Sequence, residues 1–520
     1  MRHSAARCLS TTTAQLSTAK KANQLPKGDA YQFVHRSEIP SYHFQKSLRR
    51  LPIPKLEETC KRYLRARVPC PVNYNPFMMY APDPDPKFNH QSVSWFGAVA
   101  FKAFPLDMSQ YKSLFNGTRI PRAEKDVLFN DPAQHETASS GNLLQPGDVH
   151  AQLAAVLSDD RPIDASSSIG SLTSLDRSKW AEVRARLESD AQSAAALKKI
   201  DGSLFVLCLD DLNSTDHRRL VQSLLIGDDA ANRWFDKCFQ LIATINFEHS
   251  WGDGVAVLRL MEESHKDATK NHFVSPDDKP AAVKTDEIDW LRQEIKSAQK
   301  QHQVNTADLD FATVQYPAMN RKILKKAKIS PDSIMQLAIQ FAYYNAYKKF
   351  VPTYESSSTA AFLKGRTEVL RSATSATRAA VLSLSKGETG DSVHNQIYEA
   401  AKIHSQLAKE AAMGAGFDRH LLGLRITAER LGRPIPALFN DRAHQYLNHF
   451  VLSTSTLSTE TIVFGGFGPV VPDGFGIGYN VVDSLMGGVI SSYRSQNSAE
   501  QFAKSLENAL DQIRRVVVKN

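Results

Sequence analysis

The sequence contains little cysteine, and its cysteines are not spaced for pairing. There are five in 520 residues, an odd number, and no two of them form a Cys-x-x-Cys unit. This pattern argues against a disulfide framework or a zinc site, so we predict no metal site and expect a reducing compartment. Long apolar runs are also missing, because none approaches the ~18 residues that cross a bilayer. We therefore expect a mature protein that is soluble or peripheral to a membrane.

Acidic residues are absent from the first part of the chain. Asp29 is the first of them, and the basic residues before it stand among many Ser, Thr and Ala: Arg2, Arg7, Lys20, Lys21 and Lys27. A basic, serine-rich and acid-free stretch is typical of a mitochondrial transit peptide, which we predict over residues 1–27. The alternative is an unstructured basic tail.

A surface suited to nucleic acid is not evident either. The net charge is +8, but the basic residues are scattered, and no basic stripe interleaved with aromatic residues is present. We therefore predict no nucleic-acid partner, whereas small anionic ligands or an anionic membrane surface are compatible with the charge. The composition, 42% hydrophobic and 23% charged, is that of an ordinary globular protein.

The length allows two domains, and strand-like and helix-like stretches alternate. We predict an α/β (α+β) fold with a domain boundary near the end of the polar stretch 262–308, giving domains 28–308 and 309–520. Apolar runs predict buried strands, and periodicity and capping signals predict helices. The predicted strands cover 203–209 and 241–245. The predicted helices cover 177–187, 330–349 and 391–432, and a further helix follows Ser498. A loop is predicted over 69–95.

The stretch FEHSWGDG at residues 247–254 carries the clearest candidate for chemistry. It places His249 at the end of an apolar run, and a helix can begin just after Asp253. An imidazole there is suited to act as a base near neutral pH, and a carboxylate four residues on can orient it. The alternatives are a packed histidine and an aspartate that only caps the helix.

A basic segment, residues 321–328, stands directly before a helix-start signal at Ser330, with Pro331 and Asp332 following. Basic side chains beside a helix N-terminus form an anion site, since free N–H groups and the helix dipole favour phosphate. The alternative is a solvated basic turn.

Hydroxyl-rich strands and a glycine-rich stretch complete the candidate motifs. Residues 354–359 and 453–456 carry lines of hydroxyls that can bind a polar substrate or an oxyanion, although Thr and Tyr are also simply good strand residues. Gly465, Gly466 and Phe467 begin a stretch in which Pro469 and Pro472 exclude a dinucleotide loop, because no helix can open behind the glycines. Glycines that let a ligand approach the backbone are the better interpretation.

These motifs, in this order, resemble the carnitine/choline acyltransferase family. Four further stretches carry the same resemblance: LPIPKLE at 51–57, PLDMSQY at 105–111, NRWFDK at 232–237 and FDRHL at 417–421. The resemblance covers about residues 35–515. It implies two related domains like chloramphenicol acetyltransferase, with mixed sheets flanked by helices and an active-site tunnel between the domains.

The resemblance also implies the chemistry. His249 matches the general base, assisted by Asp253, and Ser455 matches the serine that binds the oxyanion. The acyl group passes directly between carnitine and coenzyme A without an acyl-enzyme, and no tightly bound cofactor is implied. The residues that match the carnitine site are Tyr354, Ser356, Thr367 and Arg419, to which we add the neighbouring Ser453. In choline enzymes the stretch that corresponds to the position of Arg419 resembles Asp-Asn-His-Leu and has no arginine. Choline has no carboxylate to pair with an arginine.

The coenzyme A segment and the acyl tunnel follow in the same way. The residues assigned to coenzyme A are Arg321, Lys322, Lys325, Lys326, Lys328, Ser330 and Asp332. Short-chain relatives carry a bulky Met at the position of Gly465, so Gly465, Gly466 and Phe467 imply a tunnel open to long acyl chains. The implied setting is fatty acid β-oxidation on the matrix side of the inner mitochondrial membrane. We expect a monomer, with peripheral membrane contact compatible with the sequence.

Three segments of the family pattern are missing, between Pro71 and Asn75, after His90 and around residues 136–147. All fall in the predicted catalytic domain. They keep a second hypothesis open, an inactive or folding-impaired relative that only binds ligands. A choline acetyltransferase-like, short-chain enzyme is disfavoured by Arg419 and Gly465.

Overall fold

Two mixed sheets and the helices around them position the candidate site. A computed structural model of the protein describes residues 62–80, 110, 114–130, 164–210, 214–228, 230–242, 244–268, 291–360, 362, 365–456 and 458–518. All of them belong to one unit, Ser41–Asn520. The predicted transit peptide, the 51–57 stretch, most of the 105–111 stretch and the last two missing segments lie outside the described residues.

The described strands are short in the first half of the chain and longer in the second. They are β1 Phe77–Tyr80, β2 Gly117–Ile120, β3 Val127–Asn130, β4 Val206–Leu207, β5 Gln240–Leu241, β6 Thr244–Asn246, β7 Leu309–Tyr316, β8 Thr353–Ser358, β9 Thr367–Leu370, β10 Leu452–Thr456, β11 Ile462–Gly466, β12 Phe475–Val481 and β13 Met486–Tyr493. The described α-helices of six or more residues are α1 Arg177–Glu188, α2 Ala191–Gly202, α3 His217–Ile226, α4 Gly254–Ala268, α5 Leu291–Thr306, α6 Arg321–Lys326, α7 Pro331–Tyr347, α8 Ser375–Ser385, α9 Asp391–Ala412, α10 Asp418–Arg430, α11 Arg442–Leu447 and α12 Ala499–Val517. The predicted mixed α/β class is therefore confirmed, with helices flanking mixed sheets. None of the described helices has the length and apolarity that crossing a membrane requires.

The first sheet has the order β11-β1-β6-β5-β4 and carries the FEHSWGDG stretch at its end. The prediction of one strand over 241–245 is wrong, because β5 and β6 fold back on each other, with Leu241 opposite Ile245. The predicted loop 69–95 is also wrong in part, since β1 lies within it and pairs with both β6 and β11. A buried strand of four residues is too short for its alternation to be read from sequence.

The second sheet has the order β7-β13-β12-β10-β8-β9. Helix α7 begins where the sequence predicts, because the Ser330 side chain accepts a hydrogen bond from the Ser333 N–H and Pro331 occupies the first turn. Helix α12 is capped in the same way by Ser498. Both helices belong to the main hydrophobic core on one face of this sheet, where Phe341, Phe475 and Phe502 are fully buried.

The predicted continuous helix over 391–432 is two helices, α9 and α10. The break follows from Gly414, which adopts φ +76°, a left-handed conformation that ends a helix and that glycine reaches without strain. The break matters for the site, because it turns the chain so that Arg419 begins a new helix.

Strand β11 belongs to the second half of the chain but lies in the first sheet. It pairs with β1 along Gly466–Phe77 and Gly465–Met78, and it also packs against β12 of the second sheet. A Cβ on Gly478 would lie 2.1 Å from the Gly465 carbonyl oxygen, so only glycine allows this approach. The predicted domain boundary near residue 308 stays a prediction. Strand β11 follows that boundary in the chain but lies in the sheet whose other strands precede it.

Candidate active site

The FEHSWGDG stretch is held by backbone and side-chain hydrogen bonds on both sides of His249. The His249 N–H donates to the Tyr74 carbonyl at 2.9 Å, and the Trp251 indole donates to the Cys238 carbonyl at 2.8 Å. Glu248, fully buried, accepts from the Ser250 N–H at 2.9 Å and from Arg119 at 3.0 Å. The backbone is therefore fixed, while the His249 side chain keeps 32% of its surface exposed and accessible to a substrate.

Arg366 joins His249 to Asp253, and sequence reasoning missed it. Its Nε lies 3.2 and 3.1 Å from the two Asp253 oxygens, and its Nη2 donates to Asp253 Oδ1 at 2.9 Å. The same Nη2 donates to the carbonyls of His249 at 2.8 Å and Gly252 at 2.7 Å. Because Arg366 directly precedes Thr367 in the chain, it ties the FEHSWGDG turn to the strand that carries part of the predicted carnitine site.

Gln110 supports the same turn from the PLDMSQY stretch. Its Oε1 accepts from the Asp253 N–H at 2.7 Å, and its Nε2 lies 3.4 Å from Asp253 Oδ2 and 3.2 Å from the Gly365 carbonyl. Asp253 is therefore oriented by groups from two separate parts of the chain, Gln110 and Arg366. Its carboxylate Oδ1 lies 3.8 Å from His249 Nδ1, which is too long for a hydrogen bond, so its predicted role in orienting the imidazole stays a prediction.

The local electrostatics favour a neutral imidazole beside an ionised carboxylate. Burial lowers the pKa of His249 below its usual value, and the positive charge of Arg366 lowers it further against the attraction of Asp253. Burial alone would raise the pKa of Asp253, but the charge and hydrogen bonds of Arg366 outweigh it, and the pKa falls. Nδ1 lies 3.8 Å from Asp253 Oδ1 and 3.1 Å from Arg366 Nη2, and the role of His249 as the base stays a prediction.

Arg419, Tyr354 and Thr367 come together as the sequence predicts. Arg419 Nη2 lies 3.1 Å from Thr367 Oγ1 and 3.3 Å from the Tyr354 hydroxyl, and its Nε donates to the Thr367 carbonyl at 3.0 Å. The positive charge of Arg419 also contributes to lowering the pKa of Asp253. The arginine is thus held close to the His249–Asp253 pair and can receive an anionic group.

The predicted serines lie on the face of the second sheet that carries Tyr354. Ser453 pairs with Tyr354 across β10 and β8, and side chains two residues apart on a strand share a face. Ser356 and Ser455 therefore lie on the same face, whereas Thr454 turns the other way and accepts from the buried Gln336 amide at 2.8 Å. The role of Ser455 toward an oxyanion stays a prediction.

The basic segment before α7 divides into structural and exposed cations. Arg321 donates to the Val481 carbonyl at 2.8 Å and to the Ser458 carbonyl at 3.2 Å, which anchors α6 to the end of β12. Lys322 pairs with Asp483 at 3.6 Å but is 73% exposed. Three further lysines are exposed and form no ion pair within the described residues: Lys325, Lys326 and Lys328. These three are the cations most available to an anionic ligand.

Asp332 is drawn into a buried group that sequence reasoning missed. Its Oδ2 lies 3.1 Å from His404 Nε2, its Oδ1 accepts from the Tyr479 hydroxyl at 2.6 Å, and His404 Nε2 also lies 3.4 Å from Glu355 Oε2. Among the described residues, Asp332, Glu355 and His404 are the group whose ligand atoms are close enough to hold a metal ion. Direct hydrogen bonds already connect these atoms.

The NRWFDK stretch proves structural. Asp236 accepts from the Trp180 indole at 2.7 Å and pairs with Arg177, while Lys237 donates to the carbonyls of Ile200 and Asp201 at 2.8 Å. Burial raises the pKa of the neighbouring Cys70 thiol to about 12, against the lowering effect of Arg177, so that thiol is inert. The stretch stabilises the domain that carries His249 and does not reach the site.

The glycine-rich stretch brings the two sheets together. The Phe467 carbonyl accepts from the Ser491 hydroxyl at 2.7 Å, and a Cβ on Gly466 would lie 3.0 Å from Val489 Cγ1. At least part of the need for glycine here is therefore close packing between strands. The predicted tunnel at residues 465–467 stays a prediction.

Comparison with known proteins decides the family. The model of the Choline/Carnitine o-acyltransferase family matches residues 61–508. The chain belongs to this family. The predicted resemblance is therefore confirmed, and the protein is an acyltransferase.

Members of the choline/carnitine acyltransferase family with established names match along most of the chain. Carnitine O-palmitoyltransferase 2, mitochondrial, is 35% identical in Xenopus tropicalis, over 93% of this chain and 94% of that protein, and 36% identical in Homo sapiens, over 92% and 93%. Choline O-acetyltransferase of Homo sapiens is 28% identical over 87% of this chain and 69% of that protein.

Part of the Xenopus tropicalis relative has no counterpart in this chain. The alignment runs over 620 positions with the Xenopus tropicalis relative, while 93% of this 520-residue chain is about 484 residues. About 136 positions of the relative therefore have no counterpart here. Between Pro71 and Asn75, where a segment is expected, the chain instead passes through a turn in which Val72 has φ +69°.

Proposed function

We propose that this acyltransferase moves a long-chain acyl group reversibly between carnitine and coenzyme A. The observation that carries the proposal is the position of two arginines next to Thr367. Arg366 precedes Thr367 in the chain, and Arg419 contacts the Thr367 side chain. Arg366 orients the His249–Asp253 pair, and Arg419, with Tyr354, offers an anion site beside it. A substrate with a carboxylate and a nearby hydroxyl, as carnitine has, fits this arrangement.

The reaction begins with proton transfer. His249 Nε2 takes the proton from the carnitine hydroxyl as its oxygen attacks the thioester carbonyl of acyl-coenzyme A. The tetrahedral intermediate carries its negative charge on the former carbonyl oxygen, where the Ser455 hydroxyl donates a hydrogen bond of the kind that contributes about 2.7–4 kcal/mol. Collapse breaks the carbon–sulfur bond, and the leaving thiolate receives the proton from the imidazolium. The reverse reaction uses the same groups.

Selectivity for carnitine over choline follows from Arg419. A guanidinium held by two hydroxyl-bearing residues presents a charge-assisted donor to a carboxylate. Choline lacks the carboxylate and would leave this guanidinium without that charge-assisted bond. We assign the exposed lysines at 325, 326 and 328, at the C-terminal end of α6, to the phosphates of coenzyme A.

Long-chain selectivity is supported by the small residues of β11. With glycine at 465 and 466, no side chain of these two residues blocks an alkyl chain, and each buried methylene contributes about 0.8 kcal/mol. The acid-free N-terminus and the mitochondrial relatives support action in fatty acid β-oxidation on the matrix side of the inner membrane.

A second candidate, a protein that binds these ligands without turnover, is favoured by one observation. About 136 positions of the Xenopus tropicalis relative have no counterpart here, and the segments that the sequence predicts to be missing fall in the half that carries His249. The intact His249, Asp253 and Arg366 contacts favour the enzyme.

Release of the coenzyme A thiol tests the proposal. The full chain is incubated with palmitoyl-coenzyme A and carnitine, and we expect thiol release that His249→Ala abolishes and that the control His394→Ala on α9 leaves unchanged. Titration of coenzyme A by calorimetry accompanies the assay. A folded wild-type chain that binds coenzyme A but releases no thiol with any acyl length would select the binding-only candidate.

A further inference from the structure

Asp332, Glu355, His404 and Tyr479 form a hydrogen-bonded group between the elements assigned to the two substrates, and the proposed mechanism does not use it. We propose that His404 is a positioning residue that couples coenzyme A binding to carnitine binding, by clamping the N-terminus of α7 to strand β8. This proposal rests on the proposed function for the identity of the two ligands. His404 itself is assigned to neither ligand. It contacts Asp332, which is assigned to coenzyme A, and Glu355, which stands between two residues assigned to carnitine.

The clamp joins elements that carry different ligands. Asp332 stands in the first turn of α7, directly after the basic segment assigned to coenzyme A. Glu355 stands on β8 between Tyr354 and Ser356, which are assigned to carnitine. His404, on α9, places its Nε2 3.1 Å from Asp332 Oδ2 and 3.4 Å from Glu355 Oε2. A single ring nitrogen of His404 therefore contacts both Asp332, beside the predicted coenzyme A segment, and Glu355, beside the predicted carnitine residues.

Further hydrogen bonds make the clamp rigid. The Tyr479 hydroxyl on β12 donates to Asp332 Oδ1 at 2.6 Å and receives the Gln336 amide at 3.1 Å. Glu355 Oε2 also lies 3.3 Å from the Ser372 hydroxyl, just beyond β9. His404, Glu355 and Tyr479 are 4%, 4% and 3% exposed, so water has little access to their polar atoms, whereas the Asp332 side chain keeps 36% of its surface exposed.

The charges in the group favour a single strong bond from His404 to Asp332. Burial raises the pKa of Glu355 well above its usual value, and the negative charge of Asp332 raises it further. Burial opposes ionisation of Asp332 as well, but the hydrogen bond and charge of His404 hold its pKa below the usual value. The hydrogen bond from His404 therefore favours the ionised form of Asp332, while burial and that negative charge favour the protonated form of Glu355. Because His404 Nε2 contacts both carboxyls, a shift of α7 that moves Asp332 also disturbs the contact of His404 with Glu355 on β8.

Coupling between two ligands is a measurable factor. If coenzyme A tightens the binding of carnitine by some factor, carnitine tightens coenzyme A by the same factor, and such factors are typically about 5–150-fold. A residue that serves only stability changes the unfolding temperature but leaves this factor unchanged. The factor is therefore the readout that separates positioning from simple structural support.

The experiment titrates the full chain with unacylated coenzyme A, with and without saturating carnitine, by calorimetry. This ligand pair lacks an acyl group, so no turnover occurs and the result does not depend on activity. We expect a coupling factor above about 5 in the wild type, at the lower end of typical coupling. It should fall to near one in His404→Leu and recover in His404→Gln, whose amide can donate in place of Nε2. His394→Leu on the same helix is the matched control and should keep the wild-type factor.

Three results would overturn the proposal: a wild-type factor of one, an unchanged factor in His404→Leu, or a stoichiometric metal ion in the purified wild type that His404→Leu loses. If His404→Leu does not fold, Tyr479→Phe decides, because it removes the hydroxyl bond to Asp332 while keeping the ring. It should lower the factor, and an unchanged factor refutes the clamp. Failure of the proposed function would instead show as absent thiol release from acyl-coenzyme A while both ligands still bind.

Discussion

Replacing Arg366 by Leu should impair the base without removing it. The substitution deletes the bonds to both Asp253 oxygens and to the His249 and Gly252 carbonyls. Asp253 is 9% exposed and Arg366 22%, so this is a largely buried pair, and breaking such a pair costs about 3–5 kcal/mol. We expect the lower end of that range for stability, because Arg366 retains some contact with water.

The catalytic loss has a separate size. General base catalysis contributes about 10²–10⁴-fold, and a base that is present but poorly oriented should lose part of that, so we expect kcat/KM to fall by about 10²-fold. Arg366→Leu should also move the acid limb of the pH profile of kcat/KM toward higher pH. His249 acts when neutral, burial and Arg366 both lower its pKa, and removing Arg366 leaves the attraction of Asp253 to raise it.

The assay is the pH dependence of kcat/KM for palmitoyl transfer, together with urea unfolding. The sign for stability follows from Asp253, whose pKa is lowered on folding. Its contribution to stability is present above the usual carboxyl pKa and is lost as the pH falls, so the variant should lose most stability near neutral pH and little in acid. Arg378→Leu, an exposed cation on α8, is the charge-matched control. An Arg366→Leu profile that superimposes on the wild type would refute the assigned role.

Three further changes test other parts of the molecule. Arg419→Asn should raise the carnitine KM by about 10–150-fold, the equivalent of a charged hydrogen bond worth about 1.5–3 kcal/mol, and an unchanged KM would remove Arg419 from the site. Gly465→Met should shift kcat/KM from palmitoyl toward acetyl across a series of acyl lengths, and a chain-length profile identical to the wild type would contradict the open tunnel. Gly478→Ala should lower stability by about 1–3 kcal/mol in urea, because its Cβ would meet the Gly465 carbonyl oxygen at 2.1 Å. Its control, Gly423→Ala, has open space around the added methyl and should not destabilise.

Local signals in the sequence predicted the features that depend on neighbouring residues. Ser330 and Ser498 cap helices as expected, because capping is decided within four residues. Of the residues that the family pattern assigns to carnitine, Tyr354 and Thr367 both contact Arg419, and their role toward carnitine stays a prediction. The break between α9 and α10 was missed, since one glycine within a long periodic stretch is often tolerated in a helix.

Long-range contacts account for what sequence reasoning missed. Arg366 stands 113 residues from Asp253, and His404 stands 72 residues from Asp332. Nothing local distinguishes these side chains from ordinary surface cations or a packed histidine. Their roles depend on which elements the two sheets bring together, and that depends on the fold as a whole.

The place of β11 in the first sheet has a consequence for the order of folding. The strands that surround it in that sheet end by Asn246, whereas β11 begins at Ile462, so the ribosome delivers it more than 200 residues later. Until then β1 has one open edge, which is a template for wrong pairing. The half that carries His249 therefore completes its sheet only near the end of synthesis, and a chain that stops before residue 462 exposes that edge permanently.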